Sequence, residues 1–244
     1  MKCLITGATS GLGLEFAKQL KDLGYELILI GRNKKKLESI NKLGKTIYCD
    51  LSKKEEVLKL CKKLDKESID MIINNAGIGV YGEFKDTDID KEIEMINTNI
   101  ISLHILTKYF YKKFLKNNKG TILNVSSTAA YPIGPFMSTY YASKSYVYKL
   151  TRAIQKENRS NVRISLLLPG PVYTNFNKKM NINFSVKAMT PSKVVSYTLR
   201  KLYKNKKVIV PGLKNRLIIL LTKLLPETLI TSFNYKIQSK KVIK

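Results

Sequence analysis

The sequence predicts an α/β fold: a doubly wound, seven-stranded parallel sheet in the order 3-2-1-4-5-6-7, with helices on both faces and right-handed crossovers. Three observations predict it. Short apolar runs alternate along the chain with longer stretches of helical periodicity. The first run ends in a glycine-rich turn that opens directly into a helical pattern. The 244 residues, 44% of them hydrophobic, suffice for one large core.

Strand one, Lys2 to Thr6, runs into Gly7-Ala8-Thr9-Ser10-Gly11-Leu12-Gly13, after which Leu14, Phe16, Ala17 and Leu20 recur at helical spacing until Gly24 offers a stop. Glycines at 7, 11 and 13 let the backbone turn tightly and approach a pyrophosphate, whose charge meets the free N–H groups of the helix start. No Gly-Lys-Ser/Thr follows, so the turn does not match the ATP-type phosphate loop. Strand two, Tyr25 to Ile30, ends at Gly31-Arg32-Asn33-Lys34. A carboxylate near here would bind a ribose 2′-hydroxyl, and none is present. Gly31 leaves space and Arg32 supplies a planar cation for a 2′-phosphate, so NADP(H) is expected over NAD(H).

Strand three, Lys45 to Cys49, leads into Asp50-Leu51-Ser52, where Ser52 and Glu55 read as a capping box for a helix carrying Val57, Leu58, Leu60 and Leu64. Strand four, Asp70 to Ile73, runs into Asn74-Asn75-Ala76-Gly77. From Asp88 to Lys116 one long helical pattern carries Ile93, Ile96, Ile100, Leu103, Leu106, Phe110 and Phe114, with Asn99 where helix propensity gives no reason for asparagine. Asn97 is the neighbouring alternative, and His104 on the same helix reads as structural.

Strand five, Lys119 to Ser127, places Ser127 at its carboxyl end, where open α/β sheets put their ligands. Alternation sends Ser126 to the opposite face. The loop from Ala129 to Thr139 brings Tyr131, Phe136 and Met137, which suit a pocket wall or ordinary loop packing. Tyr140-Tyr141-Ala142-Ser143-Lys144 then sets Tyr140 and Lys144 four apart, one above the other on a helix. A cation there should favour the ionised phenol and lower a pKa of about 10 toward the working range.

Strand six, Val162 to Leu168, stops at Pro169-Gly170-Pro171-Val172-Tyr173-Thr174, and residues 175 to 189 read as a lid bearing Phe176, Met180, Phe184 and Met189. Thr190-Pro191 starts a helix, and Lys207 to Val210 is the last strand. Leu213 to Leu225 mixes Leu217, Ile218, Ile219, Leu220, Leu221, Leu224 and Leu225 with Lys214, Arg216 and Lys223. It is too short and too charged for a confident membrane span. It reads as a membrane-surface helix, a dimer or pocket-covering helix, or an edge of the core. Lys236 to Lys244 is expected to fray.

Taken together, the TGxxxGxG turn at Thr6–Gly13, Asn74-Asn75-Ala76-Gly77, Asn99, Ser127, Tyr140, Lys144 and Pro169-Gly170 resemble the classical short-chain dehydrogenase/reductase family in order and spacing, across residues 1 to 175. The resemblance implies a single Rossmann-type catalytic domain over 1–212, with a cofactor half to about 118, and a C-terminal helical extension over 213–244. It implies a catalytic set of Asn99, Ser127, Tyr140 and Lys144. It also implies cofactor contacts from Gly7, Thr9, Ser10, Gly11, Leu12, Gly13, Arg32, Asp50, Leu51, Asn75, Ala76, Gly77, Tyr140, Lys144, Pro169, Gly170, Val172 and Thr174. Asp50 would meet the adenine amino group, Val172 and Thr174 the nicotinamide, and no metal is implied. The expected activity is interconversion of a carbonyl and a secondary alcohol on an apolar acyl, sphingoid or steroid-like substrate. Its alternatives are a non-catalytic redox sensor and a membrane-peripheral interaction protein. A nucleotide-sugar epimerase is disfavoured by the spacing of the turn.

The net charge of +26 is carried by 38 lysines and six arginines against 18 acids. Nucleic-acid readers lean on arginine with interleaved aromatics, so no nucleic-acid partner is expected. Solvated faces are the first reading, and an acidic membrane surface met through 213–244 the second. Cys3, Cys49 and Cys61 form no CxxC pair and read as reduced core thiols. With the first strand starting at residue 2, no leader is expected and the placement expected is cytoplasmic, peripheral at a membrane if the tail binds one. A homo-oligomer is expected.

Overall fold

The computed structural model describes residues 1–174, 176 and 188–240. Strands β1 (Lys2–Thr6), β2 (Glu26–Gly31), β3 (Lys45–Tyr48), β4 (Met71–Asn74), β5 (Thr121–Val125), β6 (Arg163–Leu167) and β7 (Val208–Ile209) form one parallel sheet. Its order is β3-β2-β1-β4-β5-β6-β7, as the sequence predicts. Central parallel strands are covered on both faces, which is why they read as unbroken apolar runs. Alternate residues feed opposite layers: Cys3, Ile5, Leu27, Leu29 and Ile73 join one core, and Leu4, Ile28, Ile30 and Ile72 the other.

Helices α1 (Gly11–Asp22) and α7 (Pro191–Tyr203) cover the first layer through Phe16, Ala17, Leu20, Val195, Leu199 and Leu202. Helices α3 (Lys54–Lys63) and α5 (Ser102–Lys116) cover the second through Val57, Leu60, Leu106, Phe110 and Phe114. Helix α6 (Ser138–Glu157) packs Val147 against Leu103, Leu166 and Leu168. Strand order reverses between β1 and β4, so the carboxyl ends of these strands open the crevice where ligands of such sheets bind.

Several expectations change. The capping box does not form: Ser52 donates to Asp50 Oδ1 at 2.7 Å, and Glu56, not Glu55, reaches back to the Asp50 N–H at 2.8 Å. A local turn at Asp50 outcompetes the cap and delays α3, leaving Leu58 exposed on its outer face. A short helix α2 (Lys34–Ser39), capped by Asn33, was not anticipated. The long helix is in fact α4 (Ile89–Ile96), a wider π-turn at Asn97–Ile101, and α5. The extra residue in that turn rotates the following helix by roughly 100°, so Ile93 faces solvent rather than sharing the buried row of Leu103 and Leu106.

The C-terminal segment holds α8 (Leu213–Leu224) and α9 (Glu227–Ser239). The sequence suggested the first and not the second, and Lys236 to Ser239 are helical where fraying was expected. Helix α8 docks by Ile219 among Leu103, Val147, Leu166 and Leu168. Thr190 caps α7 as anticipated, its side chain accepting the Lys193 N–H at 3.4 Å. All three cysteines are free and buried, and burial pushes Cys49 up to about 12 and Cys61 up to about 11. The lid expected over 175 to 189, with Met180 and Phe184, lies largely outside the described residues, as do Lys241 to Lys244.

Candidate active site

At the end of β1 the chain turns through Gly7, at φ +64°, and folds back on itself. A Cβ at Gly13 would sit 2.2 Å from the Gly7 carbonyl oxygen, so only a hydrogen fits where α1 begins. Ser10, at the N-cap of α1, makes no side-chain cap, and the first turn holds no acid. The amides of Gly11, Leu12 and Gly13 are therefore left for an anion, and the cradle fits the pyrophosphate of a dinucleotide. The β4 motif braces it: Asn75 Nδ2 donates to the Thr6 and Gly7 carbonyls at 3.0 and 3.4 Å. The Thr6 hydroxyl accepts from the N–H groups of Asn75 and Ala76, both at 3.0 Å. Gly13→Ala should lower stability by about 2 kcal/mol and Tm by roughly 5 °C, because the methyl meets backbone that cannot swing away. Thermal melts of the two proteins check this.

At the tip of β2, Gly31 leaves room for Thr9, whose Cγ2 would be 2.7 Å from a Cβ there. Arg32 donates to the Glu94 carboxylate and lies 4.0 Å from Asp50 Oδ1. Burial opposes the Asp50 charge, but hydrogen bonds from Ser52 and the Arg32 and Lys53 cations hold it below the usual carboxylate range. Leu51 buries its side chain in the core.

The four residues expected to do chemistry come from three different segments and meet beyond β4 and β5. The π-turn swings Asn99 inward: its Oδ1 accepts the Ile78 N–H at 2.9 Å, and its Nδ2 donates to the Ile78 carbonyl and to Ser143 Oγ, at 2.9 and 3.0 Å. A Cβ at Gly77 would lie 3.2 Å from Lys144 Nζ and 3.3 Å from Asn99 Oδ1, which puts all three side by side. Asn97 makes no such contact. Ser127 Oγ accepts the Ala129 N–H at 3.1 Å and is within hydrogen-bonding reach of the Tyr140 hydroxyl. Ser126 points the other way, donating to the Lys144 carbonyl at 2.7 Å.

Helix α6 stacks Tyr140 over Lys144, with Nζ 5.8 Å from the ring centroid. The electrostatics differ from the simple expectation. Burial pushes the Tyr140 phenol up, against the pull of the Ser127 hydrogen bond, and burial drags Lys144 down to about 8. Desolvation beats the cation–phenol attraction because both groups lie inside the protein.

Around Tyr140 gather Tyr81, Met137, Tyr141 and Phe176, an apolar wall. Gly11 would meet Thr174 Cγ2 at 3.2 Å if it carried a Cβ, so the loop after β6 closes onto the glycine turn. Val172 pairs with Met189, and Pro169 accepts the Thr128 N–H at 2.9 Å. Gly170 lies against Asn215 of α8. His104 is engaged by the Tyr146 hydroxyl at 2.7 Å. Three participants escaped the sequence reading. Ser143 ties Asn99 to α6, while Tyr81 and Gln238 join through the Tyr81 hydroxyl, which donates to the Gln238 carbonyl at 2.5 Å. Gln238 Nε2 donates to the Tyr141 hydroxyl at 2.6 Å. Ser143 was signalled by its place one residue before Lys144; Gln238 gave no signal at all.

A family model described as short chain dehydrogenase matches residues 2–183. The 3-oxoacyl-(acyl-carrier-protein) reductase FabG of Rickettsia conorii is 33% identical over 186 residues, 73% of this chain and 75% of that protein. Estradiol 17-beta-dehydrogenase 11 of Mus musculus is 29% identical over 253 residues, 97% of this chain and 84% of that protein. Among solved structures, a short-chain dehydrogenase from Sphingobium yanoikuyae in complex with NADPH superimposes with a TM-score of 0.83 at 25% identity, covering 87% of this chain and 88% of that one. With the sheet order, the nucleotide cradle and these relatives in agreement, the chain belongs to the short-chain dehydrogenase family and is an oxidoreductase of CH–OH and C=O groups.

Proposed function

We propose that the protein is an NADP(H)-dependent oxidoreductase that interconverts an apolar ketone and its secondary alcohol, with Tyr140 as general acid and base. The observation that carries this is the placement of the Tyr140 hydroxyl between Ser127 and an apolar wall, with buried Lys144 behind it. A bound nicotinamide would supply or accept the hydride at its C4. In reduction, Tyr140 gives its proton to the substrate oxygen, and Ser127 donates a hydrogen bond to that oxygen as charge develops. Lys144 and Asn99, flanking Gly77, hold the route by which a proton returns to Tyr140. Residues 1–212 perform these steps, and 213–244 act as an extension. The wall of Tyr81, Met137, Tyr141 and Phe176 offers a substrate little beyond apolar contact, which supports acyl, sphingoid or steroid-like compounds. The names of the two curated relatives point the same way.

The preference for NADP(H) rests on Arg32 at the end of β2, free of any carboxylate on its own loop. The pairing of Arg32 with Glu94 favours a second reading, NAD(H), because a 2′-phosphate must displace that carboxylate. Fluorescence titrations with NADPH and NADH decide between them without a substrate. Arg32→Gln should weaken NADPH binding about tenfold or more and leave NADH nearly unchanged; equal loss for both would remove Arg32 from 2′-phosphate recognition. A screen of hydrophobic ketones then tests the substrate class.

Helix α4 and the facing part of α6 form an apolar groove lined by Phe84, Ile96, Ile100, Ala142 and Tyr146. We assign the expected homo-oligomeric contact to this groove. Helix α4 and its cap carry exposed Asp88 and Asp90 and half-buried Glu94, so a second copy meets fewer like charges here than elsewhere on a chain of +26. Sedimentation equilibrium of wild type and Phe84→Asp checks it.

A further inference from the structure

Helix α8 is amphipathic the wrong way round for a helix that serves only the core. Its inward side is narrow: Asn215 against Gly170 and Gly212, Ile219 in the core, and Thr222 half-buried. Leu213, Leu217, Leu220, Leu221 and Leu224 recur at helical spacing on the opposite side. They face solvent, at 79, 57, 51, 42 and 69% exposure. Water-facing stripes of this kind mark an interaction site. The patch runs on through exposed Leu225 to α9, where Leu229 and Phe233 are followed along the same outer face by Lys236 and Lys240.

The flanks say what covers it. Lys214 borders one side of the leucine stripe, and Arg216 and Lys223 the other. From 213 to the end the chain has seven basic residues and a single acid, Glu227. A second copy seated on this face would bring cations against cations, in a protein already at +26. An anionic bilayer meets both features at once, since leucines enter the acyl boundary while lysine stems such as those of Lys214, Lys236 and Lys240 reach the headgroups. Among the described residues no helix is long and apolar enough to cross a membrane, so the face lies on the bilayer.

We infer that the outer face of α8 and α9 is a docking surface for anionic lipid bilayers, oriented so that the pocket opens toward the leaflet. The geometry supplies the second half. Helix α9 is pinned to the pocket wall by Gln238, which bonds both Tyr81 and Tyr141, and by Asn234 Nδ2, which donates to the Ile133 carbonyl at 2.7 Å. Tyr235 packs its ring 5.3 Å from that of Phe136. Helix α8 through Ile219 and helix α9 through Gln238, Asn234 and Tyr235 are thus both anchored to the catalytic domain. The docking half stands independently of the proposed chemistry. The orientation half rests on the proposed apolar substrate, which would then enter from the membrane rather than from water.

The test is cosedimentation of the full chain with vesicles of equal parts phosphatidylcholine and phosphatidylglycerol, and with phosphatidylcholine alone. Strong binding to the mixed vesicles, weak binding to the neutral ones, and loss in high salt are expected. Lys214→Gln/Lys236→Gln/Lys240→Gln should weaken partition about a hundredfold, and Leu217→Gln/Leu220→Gln/Leu224→Gln at least about tenfold. Both triples touch only exposed side chains, and an unchanged NADPH titration shows that they fold. Absence of binding to the mixed vesicles, or binding undiminished in both triples, overturns the inference. So does a change in sedimenting mass of the leucine triple without lipid, which would assign the face to a second copy. Because binding is read without turnover, failure here leaves the proposed chemistry intact, and failure of the ketone screen leaves docking intact.

Discussion

Tyr140→Phe is expected to lower kcat/KM by about a thousandfold while leaving NADPH affinity within roughly a factor of two. The substitution removes one oxygen, the group proposed to exchange a proton with the substrate, and keeps the ring against Phe176, whose centroid is 5.6 Å away. Stability should change by about 1 kcal/mol or less, since only the hydrogen bond with Ser127 is lost. Burial holds the phenol above its usual pKa, so the wild type keeps its proton at neutral pH, ready for reduction. Alcohol oxidation needs the ionised form and should accelerate as pH rises. Substantial turnover in the Phe variant would move the role to Tyr141, whose hydroxyl is instead engaged by Gln238.

Lys144→Met is expected to do two opposite things: abolish turnover and stabilise the fold. In the structure Lys144 is 5% exposed and its long contact to the Val125 carbonyl, 3.4 Å, repays little of the cost of burying an ammonium. Its pKa falls from an ordinary 10.5 to about 8. Between those values the unfolded chain binds more protons than the folded one, so stability rises with pH across that window. Below about pH 8 the cost is complete. Methionine removes it, and the gain should be about 2 kcal/mol at pH 7, roughly 4–8 °C in Tm. Near pH 10 most of that gain should vanish, as the folded wild-type lysine is already neutral and only the unfolded one still holds most of its proton. Thermal melts of both proteins at the two pH values measure the difference; a variant less stable than wild type at pH 7 would show that the ammonium is well solvated in its pocket. The instability of Lys144 is then a cost the fold carries for its site.

The legible part of the site was local. Gly7, Gly11 and Gly13 announce a turn because steric exclusion acts within a few residues, and the structure shows the 2.2 Å approach that enforces it. Tyr140 and Lys144 announce a shared helix face because their spacing alone stacks them. Asn99 stood out as a residue with no propensity reason to be helical, and it lies in the π-turn. What the spacing could not reveal was the balance of energies. A cation four residues away predicts a depressed phenol pKa, but burial reverses the direction, and burial depends on β4, β5 and the loop after β6 closing around the pair.

By itself, then, the sequence determined where most strands and helices begin and end, since unbroken apolar runs, a glycine turn and helical spacing are all short-range signals. The order of the strands and the residues that meet at their ends followed from the resemblance of its motifs to a known family. The tertiary structure alone decided how the C-terminal segment is used. Residues 213 to 225 carry Leu or Ile at most positions around the helix, and periodicity cannot say which side of such a helix a distant core will claim. Docking of Ile219 on Leu166 and Leu168 turned the leucines outward, and contact between Gln238 and Tyr141, 97 positions apart, set α9 beside the residues around Tyr140. Both depend on packing between segments far apart in the chain, where no local pattern reaches.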